Sequence, residues 1–330
     1  MKKVLWIACL LCMLPFLGMA QNRAGLALQD EAAGFGQAPV SKELPKTIQL
    51  KNVTRDAVAE GDTIGDFHTM YIPETNMNFG RYYHITLVGS TAYIEQVRMY
   101  NDWYYSAADY YYNAEEQATA PEYPVWAYAN DYTKGFMNIH FENGNFVKDD
   151  AQSISLSMND MTYDYNHGYM LGTKFGRIYK LTLATEEGIS GAAEIVWDCY
   201  DHDTLKPVAI ACDLDGTLYF VSLSPDGTEN SKLYKFEGEV NNTLEPVEVG
   251  DLEWPAYCIQ TMAFDHNTRR LFWWACDIDG NTMLKEVDKE TAACTDYFPE
   301  TPEGDGLTTE MGGLIFEFEY RDYTVTCINT

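Results

Sequence analysis

An internal repeat of about 50 residues is the feature that most restricts how this chain can fold. Three short apolar runs in the second half of the chain each end in an aspartate: Asp164, Asp213 and Asp265. These aspartates lie 49 and 52 residues apart, and each is followed by a polar turn and a second apolar run. Repeats of this length indicate an array in which each unit buries its apolar surface against the next one.

The similarity continues beyond the first run of each repeat. A further run follows in every unit, at residues 177–181, 232–236 and 283–287. The last run of each unit follows at residues 194–197, 246–249 and 294–297, and a further unit would begin near residues 314–316. Short runs of β-branched and aromatic residues broken by Gly, Asn and Asp are typical of strands joined by turns. The repeat is therefore predicted to be a set of antiparallel strands.

Four antiparallel strands within about 50 residues form one blade of a β-propeller. A single blade has two apolar faces that it cannot bury alone, and stacking blades in a closed ring buries the faces and hides the edges. The sequence therefore predicts an all-β propeller over residues 61–316, with about five to seven four-stranded blades. The strand near residues 314–316 is expected to close the ring by completing a first blade. Residues 21–60 are predicted to be a linker or N-terminal arm, and residues 317–330 a C-terminal tail.

Two hairpins are predicted before the clear repeats. Residues 82–88 and 92–99 flank a Gly-Ser-Thr turn. Residues 136–141 and 145–148 flank a Glu-Asn-Gly turn. Turn residues between two apolar runs are a strong short-range signal for a hairpin, so both segments are expected to belong to the earlier blades.

An aromatic insertion at residues 101–132 is the leading candidate for ligand binding. Tyr and Trp combine a flat apolar face with a polar tip, which suits stacking on a sugar ring or packing against a protein partner. The candidate ligand-binding residues are Trp103, Tyr104, Tyr105, Tyr110, Tyr111, Tyr112 and Trp126. The alternative is that these side chains fill the interfaces between blades, because strand cores also favour aromatic residues. A short helix over residues 107–118 is a further expectation within this insertion.

The first twenty residues have the pattern of a secretory signal peptide. Lys2 and Lys3 precede an apolar run at residues 4–17, and small residues at positions 18 and 20 would direct cleavage before Gln21. The apolar run is shorter than the ~20 residues that span a bilayer, so we do not expect an integral membrane protein after cleavage. The mature chain is expected to be secreted, to the extracellular space or the outer surface, with the periplasm as the alternative.

The charge balance restricts the partners of the chain. The 22 Lys and Arg face 50 Asp and Glu, which gives a formal net charge of −28. Cleavage of the signal would remove two lysines and leave −30, since −28 minus 2 is −30. Nucleic acid and anionic membrane surfaces require clustered Lys and Arg, so neither is an expected partner. A glycan or an extracellular protein is the partner that we expect.

No cofactor or metal site is predicted, and calcium is the one alternative. The segments that begin at Asp213 and Asp277 resemble the start of a calcium loop, but their twelfth positions are Ser224 and Asp288, where such a loop has Glu. An Asp-Gly pair is also a common turn signal. The six histidines lack zinc-site spacing. The six cysteines after the signal have no Cys-x-x-Cys pair and are expected to be small buried residues, some of them paired.

The strings DMTYDYNHGYMLGT, ACDLDGTLYFVS and IQTMAFDHNTRRLFWWAC resemble the repeats of secreted or surface β-propeller modules of Gram-negative gut and oral bacteria. The resemblance covers residues 150–316 clearly and residues 61–150 weakly. Such modules often precede fibronectin type III repeats and a sorting domain, and they look like binding or scaffold modules. The resemblance implies a non-enzymatic module that recognises a glycan or a protein through loops at one end of the propeller. The alternative is a hydrolase acting on glycans or lactones, with acidic residues converging at the central channel.

Overall fold

Strands account for all the regular secondary structure in the described part of the computed structural model. The structure describes residues 63–71, 79–101, 105–110, 125–129, 135–140, 143–148, 158–174, 176–182, 192–199, 205–257, 260–300 and 311–316. No helix occurs within these ranges, in agreement with the all-β prediction. The strands are β1 (Thr63–Tyr71), β2 (Phe79–Val88), β3 (Thr91–Asn101), β4 (Tyr105–Tyr110), β5 (Val125–Ala129), β6 (Gly135–Ile139), β7 (Phe146–Lys148), β8 (Asp160–Asp164), β9 (Tyr169–Lys174), β10 (Arg177–Thr182), β11 (Ala192–Asp198), β12 (Pro207–Cys212), β13 (Leu218–Ser222), β14 (Lys232–Phe236), β15 (Val247–Asp251), β16 (Thr261–Asp265), β17 (Arg270–Cys276), β18 (Thr282–Val287), β19 (Cys294–Glu300) and β20 (Met311–Ile315).

These strands form three four-stranded antiparallel sheets and one eight-stranded sheet. Sheet I has the order β4-β5-β6-β7, sheet II β8-β9-β10-β11 and sheet III β12-β13-β14-β15, so neighbours in sequence are neighbours in space. The eight-stranded sheet joins a C-terminal half, β16-β17-β18-β19, to a closing half, β3-β2-β1-β20. The two halves meet where β19 and β3 pair in parallel over three residue pairs.

The first strand of every group lies against the first strand of the next group. Contacts join β4 to β8, β8 to β12, β12 to β16, β16 to β20 and β20 back to β4. These five strands therefore form a closed ring, and the all-β fold is propeller-like. The ring is closed by antiparallel pairing of β20 with β1, with His68 opposite Ile315 and Tyr71 opposite Met311. The predicted pairing of a strand near residues 314–316 with the N-terminal part of the fold is confirmed.

The core consists of apolar layers between neighbouring sheets. Between sheets II and III, the Trp197 ring packs against Phe236, with ring centroids 5.1 Å apart. Trp273 and Trp274 are adjacent on β17 and both have an exposed fraction of 0%. Trp273 belongs to the layer facing sheet III, and Trp274 belongs to the layer facing the closing half. Alternate residues of a strand point to opposite faces, so one strand supplies aromatic side chains to two layers.

The repeat predicted from the sequence corresponds to matching places in the fold. Asp164 and Asp265 are the last residues of β8 and β16, and Asp213 directly follows β12. Both predicted hairpins are present, because β2 pairs with β3 and β6 pairs with β7. The predicted helix over residues 107–118 is wrong where it can be compared, because residues 107–110 belong to β4.

None of the described residues forms a helix with the length and hydropathy needed to cross a bilayer. The predicted signal peptide, the N-terminal arm at residues 21–60 and the tail at residues 317–330 lie outside the described residues.

Candidate binding site at the turn end of the ring

The ring has one end, here called the turn end, at which β8, β12 and β16 turn into the second strands of their sheets. The aspartates of the repeat order these turns. The Asp164 carboxylate accepts hydrogen bonds from the backbone N–H groups two and three residues later, at 3.0 and 2.9 Å. The Asp265 carboxylate accepts the corresponding bonds at 3.0 and 3.4 Å. These two aspartates therefore stabilise their turns, since such bonds replace the solvent that exposed N–H groups would need.

The third aspartate, Asp213, also holds two cations. Its carboxylate accepts the N–H of Leu214 at 2.7 Å and hydrogen-bonds the Lys289 ammonium. The guanidinium of Arg269 lies 3.8 Å away. Burial alone would raise the pKa of Asp213, but the hydrogen bond and charge of Lys289 hold that pKa below its usual value. Asp213 is therefore a buried anion that fixes two quarter-exposed cations, from different turns, at one end of the ring.

A second pair lies in the neighbouring turn. The His167 ring nitrogen Nδ1 is 2.6 Å from the Asp164 carboxylate. Burial raises the pKa of Asp164 even though the His167 hydrogen bond acts in the opposite direction. The turn that contains Gly216 packs closely against the turn that contains His167, because a Cβ at Gly216 would lie 2.8 Å from Asn166 and 3.1 Å from His167. The first two turns are therefore in contact.

Two aromatic rings meet where the turns converge. The Tyr165 ring lies edge-on to the His266 ring, with centroids 5.3 Å apart and an interplanar angle of 82°. The Tyr165 hydroxyl donates to the backbone carbonyl of Tyr110 at 2.8 Å. Tyr165 thus links the turns of β8 and β16 to β4. Burial lowers the pKa of His266 to about 4, so this ring is neutral at physiological pH.

A buried acid lies further inside the ring. The Asp160 carboxylate accepts the backbone N–H groups of Ile210 at 2.9 Å and Met262 at 3.0 Å. It also accepts the Thr261 hydroxyl at 2.9 Å, and that hydroxyl accepts the N–H of Leu314 at 2.9 Å. Desolvation raises the pKa of Asp160 well above its usual value. The network connects β8, β12, β16 and β20, and it satisfies N–H groups on the inner edges of these strands.

Asp109 of β4 performs the same task between sheets I and II. Its carboxylate accepts the N–H of Tyr110 at 2.7 Å and the N–H of Tyr163 at 2.6 Å. Burial raises the pKa of Asp109 to about 7, despite these hydrogen bonds. The acids in the ring interior are therefore acceptors for backbone N–H groups, and both oxygens of each are in use.

Arg269 is the most unusual residue of the turn end. It has a φ of 60°, in the left-handed region that costs a side-chain-bearing residue roughly 1 kcal/mol. Gly168 holds the corresponding position four residues after Asp164, with a φ of 75°, and the shorter turn after Asp213 contains Gly216 with a φ of 87°. The buried Nε of Arg269 has no hydrogen-bond acceptor among the described residues. An arginine held where other repeats have glycine points to a function of its side chain.

The aromatic candidates from the sequence are only partly described. Tyr105 and Tyr110 have exposed fractions of 0% and 9%, so they are not available as a ligand-binding surface. The physical reason is that β4 is a first strand with β20 on one side and β8 on the other, and Gly313 of β20 packs on the Tyr105 ring. For these two residues, the alternative of interior packing holds.

The remaining candidates stay predictions. The backbone of Trp126 lies in β5 opposite Asp109, and nothing is described of its side chain. Four of the candidates lie outside the described residues: Trp103, Tyr104, Tyr111 and Tyr112.

The calcium alternative rests on the segments that begin at Asp213 and Asp277, and the Asp213 carboxylate is bound to Leu214 and Lys289. One carboxylate oxygen of Asp277 accepts the backbone N–H groups of Asp279 and Asn281 at 2.9 and 2.8 Å, and the other accepts the Asn281 side chain at 2.8 Å. The turn itself therefore uses the oxygens that a cation would need. Within the described ranges, no group of three or more His, Cys, Asp or Glu residues is placed to hold a metal.

The cysteines of the described residues are free thiols. Cys199, Cys212 and Cys276 are buried and Cys294 is half-buried, as expected for small core residues. Desolvation raises the pKa of the Cys199 thiol to about 12, which makes it a poor nucleophile. Cys258 and Cys327 lie outside the described residues.

Sequence reasoning missed the residues that define the turn end. Arg269 could have been found by aligning the repeats, because it replaces the glycine that follows four residues after Asp164. Lys289 carried no such signal, since only the fold brings its loop to Asp213. His266 and Tyr165 were visible as turn residues, but their contact depends on ring closure.

Comparison with known proteins does not assign a family to this chain. No family model matches the sequence, and no curated protein matches it. Among solved structures, the chain is similar to TolB from Acinetobacter baumannii, with 11% identity, a TM-score of 0.43 and coverage of 76% of this chain and 66% of that one, just under two thirds. It is also similar to a putative 6-phosphogluconolactonase from Bacteroides uniformis, with 12% identity, a TM-score of 0.35 and coverage of 74% and 72%. A third similar structure is the calcium-binding protein regucalcin from Agrobacterium tumefaciens, with 13% identity, a TM-score of 0.34 and coverage of 62% and 66%.

Proposed function

We propose that the ring is a five-bladed β-propeller. Sheets I, II and III would each be one four-stranded blade, and the C-terminal half of the eight-stranded sheet would be the fourth. The closing half would be the fifth blade, with β20 as its first strand and β1, β2 and β3 following outward. This grouping gives every blade one strand in the closed inner ring.

On this fold we propose an exported, non-enzymatic binding or scaffold module that recognises a glycan or an extracellular protein at the turn end. Export is supported by the signal-like pattern of the first twenty residues. Binding is supported by the exposed parts of His167, Arg269 and Lys289, which rise from rigid hairpin turns and are fixed by buried aspartates. Polar and charged groups held in one place suit the hydroxyl and amide groups of such ligands.

One observation favours binding over catalysis. A catalytic carboxyl group needs an oxygen that can reach its substrate. Both oxygens of Asp109, Asp160 and Asp164 are already bound to backbone N–H groups, a hydroxyl or an imidazole. These acids therefore support the scaffold, and the groups directed to solvent are ones that bind ligands.

A glycan array and an array of extracellular proteins, both probed with the purified mature chain, would test this proposal. Arg269→Ala should weaken binding of any ligand found by about tenfold or more, as expected for the loss of one well-formed charged hydrogen bond. Arg177→Ala is the matched control, because Arg177 is 31% exposed and pairs with Asp198 outside the turn end. Equal binding by both variants would show that the turn end is not the site.

A hydrolase acting on glycans or lactones is the second candidate. It is favoured by the opposite pKa shifts of Asp164, which is raised, and Asp213, which is lowered. Carboxyl groups whose pKa values move apart are typical of acid–base pairs. Fluorogenic glycosides and simple lactones, incubated with the same preparation, distinguish the two functions. Turnover that is abolished by Asp164→Asn would reject the binding module and establish the hydrolase.

A further inference from the structure

The Arg269 guanidinium has hydrogen-bond donors that the described residues do not use. Its Nε is buried and has no acceptor among them. Its contact with the Asp213 carboxylate is an ion pair at 3.8 Å, which is too long for a hydrogen bond. A guanidinium presents a planar fork of N–H groups that matches the two oxygens of a carboxylate. The fork of the quarter-exposed Arg269 therefore suits an acceptor that the described part of the chain does not supply.

Asp213 does not satisfy this fork, because its own oxygens are bound to other groups. One oxygen accepts the N–H of Leu214 at 2.7 Å, and the other accepts a hydrogen bond from the Lys289 ammonium. Arg269 and Lys289 thus share one buried carboxylate as their counter-ion. Two cations beside one anion leave a positive charge uncompensated within this group of three side chains. An anionic group of a ligand would balance that charge.

The rim of this group is acidic. Glu290 directly follows Lys289, Asp215 lies two residues after Asp213, and both acids are exposed. Burial is the main cause of the raised pKa of Tyr219, and the charges of Glu290, Asp213 and Asp215 raise it further, so all three acids lie around this hydroxyl. A ligand with many negative charges, such as an acidic peptide, would be repelled by the exposed carboxylates. A ligand with one anionic group and several hydroxyls would instead donate hydrogen bonds to them.

We infer that the turn end binds an acidic glycan, one that contains hexuronate residues, and this inference rests on the proposed binding function. The sugar carboxylate would accept two parallel hydrogen bonds from the Arg269 fork. It would also accept one from Lys289, whose ammonium has three donors. The ring hydroxyls would donate to Asp215 and Glu290. A hexuronate carries both kinds of group on one ring, whereas a neutral glycan would offer the Arg269 fork only uncharged acceptors, which bind more weakly.

The probes are oligosaccharides that contain galacturonate, glucuronate, mannuronate or guluronate, each paired with the same oligosaccharide reduced at its carboxyl groups. Binding to the mature chain would be measured by titration calorimetry in about 150 mM NaCl, where the long-range repulsion from the net charge of −28 is screened. At least one acidic probe should bind. Its reduced form should bind at least about tenfold more weakly, because the charged hydrogen bonds of the carboxylate are lost.

The ratio of the two affinities assigns this preference to Arg269. Arg269→Gln should lower the ratio by about tenfold, because it removes the fork and its charge. Arg269→Lys keeps the charge without the fork and should give an intermediate ratio. Arg177→Gln is the matched control, since Arg177 is 31% exposed and pairs with Asp198 outside the turn end, and this variant should keep the ratio of the wild type. A variant that only folds poorly would weaken both forms of the probe equally and leave the ratio unchanged.

Failure of this inference is distinguishable from failure of the proposed function. Equal binding of the acidic and reduced probes, no binding of any acidic probe, or an unchanged ratio in Arg269→Gln would overturn the inference. A neutral glycan or a protein that binds, with Arg269→Ala weakening it, would also overturn the inference but leave the binding module intact. A peptide of alternating Glu and Ser that binds more tightly than every acidic probe would assign the turn end to acidic protein segments instead. Absence of binding to all glycans and proteins on the arrays would reject the module itself, and the inference with it.

Discussion

A single strained residue connects backbone conformation to function at the turn end. Arg269 has a φ of 60°, and its guanidinium lies 3.8 Å from the buried Asp213 carboxylate. Asp213 also has Lys289 as its closer, hydrogen-bonded partner, so the 3.8 Å ion pair with the quarter-exposed Arg269 contributes about 1 kcal/mol. That gain does no more than balance the backbone strain. Stability alone therefore does not explain the arginine, which supports the ligand-binding role that we propose for it.

Arg269→Gly separates the two roles. We expect the free energy of unfolding to stay within about 1 kcal/mol of the wild type, because relief of strain offsets the lost ion pair. Ligand binding at the turn end should weaken by about tenfold or more, as for Arg269→Ala. Gly168→Ala is the reverse change at the corresponding position, where φ is 75° and the nearest side-chain atom to a Cβ is 3.9 Å away. It should lower stability by roughly 1 kcal/mol. Chemical denaturation of both variants measures the difference, and a large loss of stability in Arg269→Gly would mean that the arginine is structural.

Asp160 has the opposite character, because its role is structural. Asp160→Ala would leave two backbone N–H groups and the Thr261 hydroxyl without their buried acceptor. An unsatisfied buried donor costs 1–3 kcal/mol, so we expect a loss of about 3 kcal/mol or more in the free energy of unfolding. Asp226→Ala is the control, since Asp226 accepts similar hydrogen bonds in a fully exposed turn and its loss should matter far less. Similar effects of the two variants in urea unfolding would show that the interior network contributes little.

Two titrating groups at the ring make opposite contributions to the pH dependence of stability. The pKa of Asp109 is raised from 3.8 to about 7, so the folded state binds more protons than the unfolded state between these values. Its contribution is therefore present at low pH and is lost as pH rises to about 7. The pKa of His266 is lowered from 6.5 to about 4, so the unfolded state binds more protons in that interval. Its contribution is lost as pH falls through this window.

Asp109→Asn removes the contribution of Asp109 to the pH dependence of stability and leaves that of His266. The stability of the wild type relative to this variant should fall between pH 4 and pH 7, by an amount on the order of 3 kcal/mol. For His266→Phe, the stability of the wild type relative to the variant should instead rise between pH 4 and pH 6.5. Urea unfolding at several pH values measures both differences, and only the slope is diagnostic, because each substitution also adds a constant offset. Parallel pH profiles for the wild type and Asp109→Asn would show that Asp109 is ionised throughout.

At the scale of elements, ring closure depends on how closely β20 approaches β4. A Cβ added at Gly312 would overlap the backbone carbonyl of Ser106, and backbone atoms cannot move aside as a flexible side chain can. We expect Gly312→Ala to lower the free energy of unfolding by about 2 kcal/mol or more, the range of an overpacked core site. Gly89→Ala in the β2–β3 turn is the control. Its Cβ would meet nothing within 4 Å, and its φ of 58° carries only the usual backbone strain, roughly 1 kcal/mol. Thermal unfolding compares the two, and equal losses would mean that β20 and β4 can separate at little cost.

The elements that the sequence predicts best are those with local signals. The hairpin of β2 and β3 has a turn between two apolar runs, and the repeat fixes β8, β12 and β16 through their terminal aspartates. The parallel pairing of β19 with β3 has no local signal, because its partners lie about 200 residues apart and meet only after the ring closes. The predicted helix failed because an alanine-rich run next to tyrosines is compatible with both structures, and burial between β20 and β8 decides for a strand.

At the scale of the whole molecule, the sequence determines the net charge, but it does not show where individual side chains lie in the fold. The number of Asp and Glu residues can be counted in the sequence. The hydrogen bonds that their carboxylate oxygens accept cannot be predicted from it, because Asp160 and Asp226 are the same residue type and differ only in their surroundings in the fold. Likewise, composition shows that aromatic residues are abundant, but only the fold shows that the Tyr105 side chain is buried and the Tyr93 side chain is exposed. Fold class and repeat were therefore within reach of the sequence, and the residues that meet at the turn end were not.

The net charge of −28 should dominate the response of the molecule to salt. Repulsion among the excess acids destabilises the compact state, and salt screens it. Salt also weakens the attractive pairs, such as Lys232 with Glu248, but each exposed pair contributes only about 0–1 kcal/mol. We therefore expect the melting temperature to rise by several degrees between about 10 and about 300 mM NaCl. Sucrose at matched osmolality is the control for water activity. A melting temperature that falls with NaCl would show that the attractive pairs outweigh the repulsion.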